Sequence, residues 1–178
     1  MKENFDLQLF QRNPQDFRRR FVTVDETWIH HYTLDTKEQS KQWVASGEFA
    51  AAPKKAKTVP SVGKVTATVF WGSQGIILID YMEKAHFSGV VAAKVMELRF
   101  QLVPHPPYSP DLAPSDYYFF PNMKKWLAGR KFYSNEEVIA KTNAYFAELD
   151  LSYYSEGINK LEQRWTKCIS LKGDYVEK

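Results

Sequence analysis

Two aspartates of this sequence have the residue type, and lie at the kind of position, that metal-dependent phosphodiester chemistry could use. Asp25 follows the strand-like run Phe21-Val22-Thr23-Val24, and Asp116 follows Ser115 at a predicted helix start. Two-metal cleavage needs several carboxylates that converge from distant parts of a chain, because each ion takes hard oxygen ligands and keeps room for water and phosphate. Asp116 also has a purely structural interpretation, since a negative charge in the first turn of a helix is favourable by itself.

The first half of the chain predicts the strands that would position Asp25. Residues 21–32 are rich in β-branched and aromatic side chains and predict a strand with Asp25 toward its end. Residues 33–64 are polar, with prolines and lysines, and predict a long loop, which in a compact domain tends to be functional. Residues 65–71 and 76–81 are two apolar runs joined by Gly72-Ser73-Gln74-Gly75, and this pattern predicts a hairpin.

The second half predicts mainly helices. Residues 88–98 carry apolar side chains at helical spacing and precede a short predicted strand at 100–103. Ser115 is predicted to cap a helix over residues 117–127. Ser134-Asn135-Glu136-Glu137 has the pattern of a capping box, and we interpret the apolar stripes of the last two predicted helices as core contacts.

Length and composition favour one domain of the α/β class. The chain has 178 residues, 44% of them hydrophobic and 15% aromatic, which is enough for one ordinary core. The order of strand, hairpin, helix, strand and helices predicts a mixed sheet. With 24 basic and 21 acidic residues the net charge is only +3, so affinity for a polyanion must come from local basic clusters.

The single cysteine and the absence of apolar segments bear on the compartment. Cys168 cannot form an internal disulfide, and this predicts a reducing environment, the nucleus or the cytoplasm. The N-terminal residues lack the apolar core of a signal peptide, and no run approaches the length of a membrane span. We therefore expect no membrane partner.

Four runs of residues closely resemble the catalytic domain of mariner-type transposases. They are Val22-Thr23-Val24-Asp25-Glu26-Thr27-Trp28, Phe70-Trp71, Ser109-Pro110-Asp111-Leu112-Ala113-Pro114-Ser115-Asp116-Tyr117 and Gly157-Ile158-Asn159-Lys160-Leu161. The resemblance implies an RNase H-like mixed sheet with flanking helices. It implies that Asp25 and Asp116 are the first and third ligands of Mg²⁺ or Mn²⁺ in an enzyme that cleaves and joins DNA.

The middle aspartate that the resemblance implies is absent. In the family it belongs to an Asp-Asn-Ala-Pro-x-His motif, and Tyr81-Met82-Glu83-Lys84-Ala85-His86 occupies the place of that motif without its chemistry. The simplest interpretation is an internal deletion of one central strand and one helix. Two carboxylates alone bind magnesium weakly, because the ion keeps most of its waters. We therefore expect this chain to be catalytically inactive.

Asp80 is a possible substitute for the missing ligand. It ends an apolar strand, and its spacing from Asp116 is close to that of the lost aspartate. If residues 76–80 moved into the vacant strand position, Asp80 would complete a triad. The alternative, which we favour, keeps Asp80 on the outer strand of the hairpin, two strands away at about 4.8 Å each.

The resemblance also divides the chain and implies its partners. Residues 1–20 are then the remnant of a linker and 21–178 the truncated catalytic domain, with a clamp-like loop at 33–64 and C-terminal helices at 134–178. Helix-turn-helix modules are not expected here, so DNA binding would be weak, non-specific and salt-sensitive. The candidate contacts to DNA or to a partner subunit are Trp43, Lys54, Lys55, Lys57, Lys124, Lys125 and Arg130.

Three hypotheses remain open at this point. The chain is a truncated transposase catalytic domain without activity, a non-catalytic remnant that binds DNA or dimerises, alone or with intact transposase, or an unstable product of a decayed element. The same catalytic domain occurs in a fusion behind a SET methyltransferase domain. Nothing in this sequence resembles a SET domain, so methyltransferase activity is not expected.

Overall fold

A computed structural model describes residues 12–32, 63–82, 93, 95–97, 100, 105, 108–171 and 176. Three strands precede the main helices: β1 (Val22–His30), β2 (Lys64–Gly72) and β3 (Gly75–Met82). A short helix, α1 (Pro14–Arg20), comes before β1. The remaining elements are a 3-10 turn (Pro110–Leu112), a π-helical turn (Ser115–Phe119) that continues into α2 (Phe120–Leu127), α3 (Asn135–Ala147) and α4 (Leu151–Ser170).

The strands form an antiparallel sheet in the order β1-β2-β3. The predicted hairpin is confirmed, and Gly75, at φ 111°, makes the tight turn that an L side chain would strain. Asp25 lies in the middle of β1 and not toward its end, because β1 extends to His30 and pairs with β2 along its whole length. The strand predicted at 100–103 and the helix predicted at 88–98 fall largely outside the described residues.

Alternation along the strands assigns Asp25 to the face that the helices cover. Asp25 pairs with Val69, and its face carries Val65, Ala67 and Trp71 of β2, all at most 1% exposed. Trp71 stacks on Phe119 with ring centroids 4.9 Å apart. The opposite face of β2, which carries Thr66, Thr68 and Phe70, is also buried. Burial on both faces agrees with the mostly apolar and β-branched composition of β2, whose two threonines are buried as well.

The helix that carries Asp116 begins differently from the sequence prediction. Ser115 lies inside the π-helical turn, and its hydroxyl accepts a hydrogen bond from Trp71 Nε1 at 3.1 Å in place of capping the helix. The reason is tertiary: Trp71 is fully buried and its N–H needs an acceptor. At α3 the predicted cap is confirmed, since Ser134 Oγ accepts from the Glu137 amide at 3.2 Å.

Helix α4 packs closely on the sheet and on α1. A Cβ at Gly157 would lie 2.6 Å from Tyr118 Cδ1 and 3.0 Å from Trp71 Cη2, so only glycine permits this approach. The ring of Trp165 contacts Phe17 of α1 in an edge arrangement at 5.6 Å. In addition, Arg18 Nη2 lies 3.6 Å from Glu162 Oε2. Part of the predicted linker remnant is therefore packed on the domain.

Within the described part of the chain, no helix has both the length and the apolar character needed to cross a bilayer.

Candidate metal and nucleic-acid site

Asp25 is a half-buried carboxylate in the middle of β1, an edge strand of the sheet. Its Oδ1 accepts a hydrogen bond of 2.7 Å from the amide of Glu26. Burial is the main cause that raises the pKa of Asp25 from 3.8 to about 6. A carboxyl with such a pKa is held where its charge is poorly solvated, which is common at functional sites.

Asp116 lies in the π-helical turn, which contacts β1. Its amide donates to the carbonyl of Ala113 at 2.9 Å, and the hydroxyl of the preceding Ser115 accepts a hydrogen bond from Trp71. Asp116 is itself exposed, although partial burial raises its pKa, while the nearby charges of Lys124 and His105 lower it. The backbone of the turn is therefore fixed while the carboxylate faces solvent.

The two aspartates are close enough to interact electrostatically. The charge of Asp116 contributes to the raised pKa of Asp25, and Lys124, two helical turns beyond Asp116, lowers the pKa of both. The fold thus brings together two carboxylates that are distant in sequence and repel one another. Because two negative charges repel, such a pair favours the binding of a proton or a cation near the two carboxylates.

The carboxylate oxygens of Asp25 and Asp116 are hard donors of the kind that Mg²⁺ and Mn²⁺ prefer, and they could supply part of a ligand set. Among the residues that the structure describes, no group of three or more histidine, cysteine, aspartate or glutamate side chains is placed to hold a metal ion. The two aspartates therefore suit a divalent ion chemically, but they supply fewer protein ligands than a triad of carboxylates would.

Asp80 is not brought to this pair. The register aligns Asp80 with Thr68 and Thr68 with Glu26, while Asp25 aligns with Val69 in the adjacent row. Directly paired residues share a face, so Asp80 and Glu26 lie on the face opposite Asp25. A hydrogen bond of 3.2 Å from Thr68 Oγ1 to Glu26 Oε1 agrees with this.

The predicted nucleic-acid contacts are only partly described. Lys124 and Lys125 are exposed on α2. Arg130 is exposed as well, but its guanidinium stacks over the ring of Trp126 at 3.9 Å, and its Nε donates to the Trp126 carbonyl at 2.9 Å. Trp43, Lys54, Lys55 and Lys57 lie outside the described residues.

Two features of this part of the structure could not be predicted from local sequence. The bond between Trp71 and Ser115 joins residues 44 positions apart. Asp111, which its neighbouring prolines identify as a turn residue, lies in the 3-10 turn but is only 5% exposed. The one available signal was the density of prolines and aspartates around it.

Comparison with known proteins shows similarity to transposases. A family profile described as a transposase (partial DDE domain) matches residues 33–91. The mariner Mos1 transposase of Drosophila mauritiana is 27% identical over 218 aligned positions, which cover 99% of this chain and 62% of that protein. The chain is a homologue of mariner transposases. The histone-lysine N-methyltransferase SETMAR of Homo sapiens is 25% identical over 211 positions, 95% of this chain and 30% of that protein.

Solved mariner structures share the fold. The Mos1 paired-end complexes with Mn and with the left transposon end have TM-scores of 0.79 and 0.80, each at 28% identity and covering 99% of this chain and 62% of theirs. The isolated Mos1 catalytic domain has a TM-score of 0.70 at 25% identity, and the match covers 94% of it. The predicted RNase H-like α/β fold of this mariner homologue is confirmed. The chain spans less than two thirds of the curated relatives it matches.

Proposed function

We propose that this chain is a mariner-type transposase catalytic domain that has lost an internal segment and binds DNA without cutting it. The observation that supports the proposal is the contact between β1, which carries Asp25, and the π-helical turn, which carries Asp116, with Asp80 on the other face of the sheet. Two members of a three-carboxylate site are present, and the candidate for the third is not in reach.

The proposed deletion is supported by the lengths of the matches. The match to the Mos1 transposase extends over 218 aligned positions, whereas this chain has 178 residues, so at least 40 of those positions have no counterpart here. If these positions form one segment, it can hold one strand, one helix and their connections, given the usual lengths of such elements. The proposed loss therefore agrees with the missing middle motif.

The metal belongs to the proposal through the carboxylates of Asp25 and Asp116. When bound, a divalent ion in such a site supplies Lewis-acid polarisation of a phosphodiester and activates water. In this chain Asp25 and Asp116 would hold the ion weakly, because two carboxylates replace few of its waters. Lys124 would compete with the ion for the negative charge of the pair.

DNA binding would rest on exposed cations around this site. Lys124 and Lys125 lie on the helix that carries Asp116, and Lys64 and Lys131 lie near the end of β1, over the rings of Trp28 and Tyr32 at 3.7 and 5.3 Å. Lysines of this kind contact phosphates without reading the base sequence. Binding in the nucleus or cytoplasm would therefore be non-specific, weak and strongly dependent on salt.

The decisive experiment measures nicking of supercoiled plasmid and thermal unfolding of the same protein, each with and without Mn²⁺. We expect salt-sensitive retention of the plasmid in a gel, no nicked product, and a Tm that Mn²⁺ raises only slightly. Metal-dependent nicking that is abolished by Asp25→Asn would overturn the proposed inactivity. In that case Asp80→Asn would test whether Asp80 supplies the third ligand.

Pairing with another subunit is a second part of the proposal. The clamp-like interpretation of residues 33–64 concerns a segment of which residues 33–62 lie outside the described part of the chain, so the molecular mass in solution is the best test of it. Light scattering during size-exclusion chromatography should give a mass above 20.7 kDa if the chain forms a homodimer. A monomeric mass at every concentration tested would restrict any pairing to intact transposase.

A further inference from the structure

Asp111 is buried where a turn residue would be exposed. It is 5% exposed, and its Oδ2 accepts a hydrogen bond of 2.9 Å from the amide of Val176. Val176 itself is only 3% exposed. A buried carboxylate must be hydrogen-bonded to offset its desolvation, so this bond fixes both of its partners.

The backbone of Asp111 is held from a second direction by α4. Arg164 Nη1 donates to the Asp111 carbonyl at 2.9 Å, and the same guanidinium stacks over the ring of Tyr117 at 4.2 Å. The hydroxyl of Tyr117 donates to the Gly157 carbonyl at 2.9 Å. Asp111 and Tyr117, the residue that follows Asp116, thus both contact α4.

Short backbone bonds connect Asp111 with Asp116. The Ala113 amide donates to the Pro110 carbonyl at 3.2 Å, and the Asp116 amide donates to the Ala113 carbonyl at 2.9 Å. Four residues separate the two aspartates, and these backbone hydrogen bonds support the stretch. A displacement of Asp111 would shift the start of the π-helical turn.

We propose that Asp111 is a positioning residue that couples the segment at Val176 to the placement of Asp116. Its carboxylate binds the Val176 amide, and its carbonyl is held by Arg164, so the turn that presents Asp116 is clamped from the C-terminal side. Only the importance of Asp116 as a metal ligand rests on the proposed function. The coupling itself needs neither metal nor DNA.

Hydrogen exchange tests the coupling in the full chain without metal or DNA. Asp111→Ala should speed exchange in the peptide that contains residues 109–117 by about tenfold, because the loss of one buried hydrogen bond raises the equilibrium constant for local opening by about that factor. Exchange in α3 should change much less. Asp111→Asn keeps an acceptor oxygen and should remain close to the wild type.

A stop codon at Lys172, which removes Val176, supplies the second arm of the test. We expect the shortened chain to show the same local increase, and the combination with Asp111→Ala to add little more. Equal acceleration in α3 and in residues 109–117 would mark Asp111 as a general stability residue and overturn the proposal. Additive effects of the two changes would do the same. If Asp111→Ala does not fold, the shortened chain and Asp111→Asn still decide between these outcomes.

Discussion

The carboxylates of Asp25 and Asp116 interact although ninety residues of sequence lie between them, and the negative charge of Asp116 helps to raise the pKa of Asp25 to about 6. One aspartate comes from the middle of β1 and the other from a π-helical turn that packs beside it. The same two residues that define the candidate metal site therefore also make the folded state sensitive to pH.

Asp25→Asn should stabilise the protein at neutral pH. The folded pKa of Asp25 lies above the unfolded value of 3.8, so the folded state retains the proton between the two values, and ionisation lowers stability as the pH rises toward about 6. We expect a gain of about 1 kcal/mol at pH 7, after allowance for solvent screening, and almost none at pH 4. Urea unfolding of the variant and the wild type at both pH values measures the difference in unfolding free energy. A gain that is larger at pH 4 than at pH 7 would contradict the prediction.

Asp116→Asn should lower the pKa of Asp25. The change removes a nearby negative charge and keeps the side-chain shape, while burial continues to hold the pKa of Asp25 above 3.8. Carboxyl carbon chemical shifts followed by NMR through a pH titration report this directly. Asp80→Asn is the matched control, because Asp80 lies two strands away on the opposite face and should leave the pKa of Asp25 in place.

Ser115→Ala should destabilise the protein by about 1–3 kcal/mol. It leaves the N–H of the fully buried Trp71 without its acceptor, which costs the desolvation of that group. Ser155→Ala on α4 is the control, since the hydroxyl of Ser155 is exposed and bonds only within its own helix turn. Chemical denaturation followed by Trp fluorescence compares the two, and equal midpoints would argue against a structural role for the bond.

Gly157→Ala should also destabilise the protein, by about 1–3 kcal/mol. Alanine has a helix propensity about 1 kcal/mol better than that of glycine, so an exposed helical position would gain stability. Here the new methyl group would meet the rings of Tyr118 and Trp71 inside contact distance, and overpacking is expected to outweigh the propensity. A raised Tm would show that α4 can move away from the sheet without loss.

Replacing Lys124 and Lys125 by alanine should weaken DNA binding and flatten its salt dependence. If each lysine contacts one phosphate, the slope of log K against log salt should fall in magnitude by about 0.9 for each residue removed. Lys141→Ala, an exposed lysine on α3, is the control and should keep the slope. Fluorescence anisotropy at several salt concentrations, with DNA of two unrelated sequences, separates phosphate contacts from base reading.

The elements with a strong local pattern were predictable from sequence. The hairpin follows from two apolar runs around a glycine turn, and the start of α3 follows from Ser134 and Glu137, because such signals depend on neighbours within four residues. Strand alternation by itself places the neighbours Asp25 and Glu26 on opposite faces, and the hydrogen bond from Thr68 to Glu26 agrees with this.

Other features were decided by tertiary contacts. Ser115 has the residue type of a helix cap, yet it accepts a hydrogen bond from the indole of Trp71, because a buried N–H competes successfully for its hydroxyl. Asp111 has the residue type of a turn, yet it is buried against Val176. A local sequence pattern cannot predict a contact with a residue that is far away along the chain.

The sequence alone therefore indicated candidate metal-binding residues, because residue type and spacing limit the possible chemistry, and its shared runs of residues indicated the likeness to mariner transposases. Only the tertiary structure decided which carboxylates meet. The register of the sheet assigns Asp80 to the face of Glu26 and Asp25 to the face covered by helices, and a shift by a single residue would have reversed this assignment.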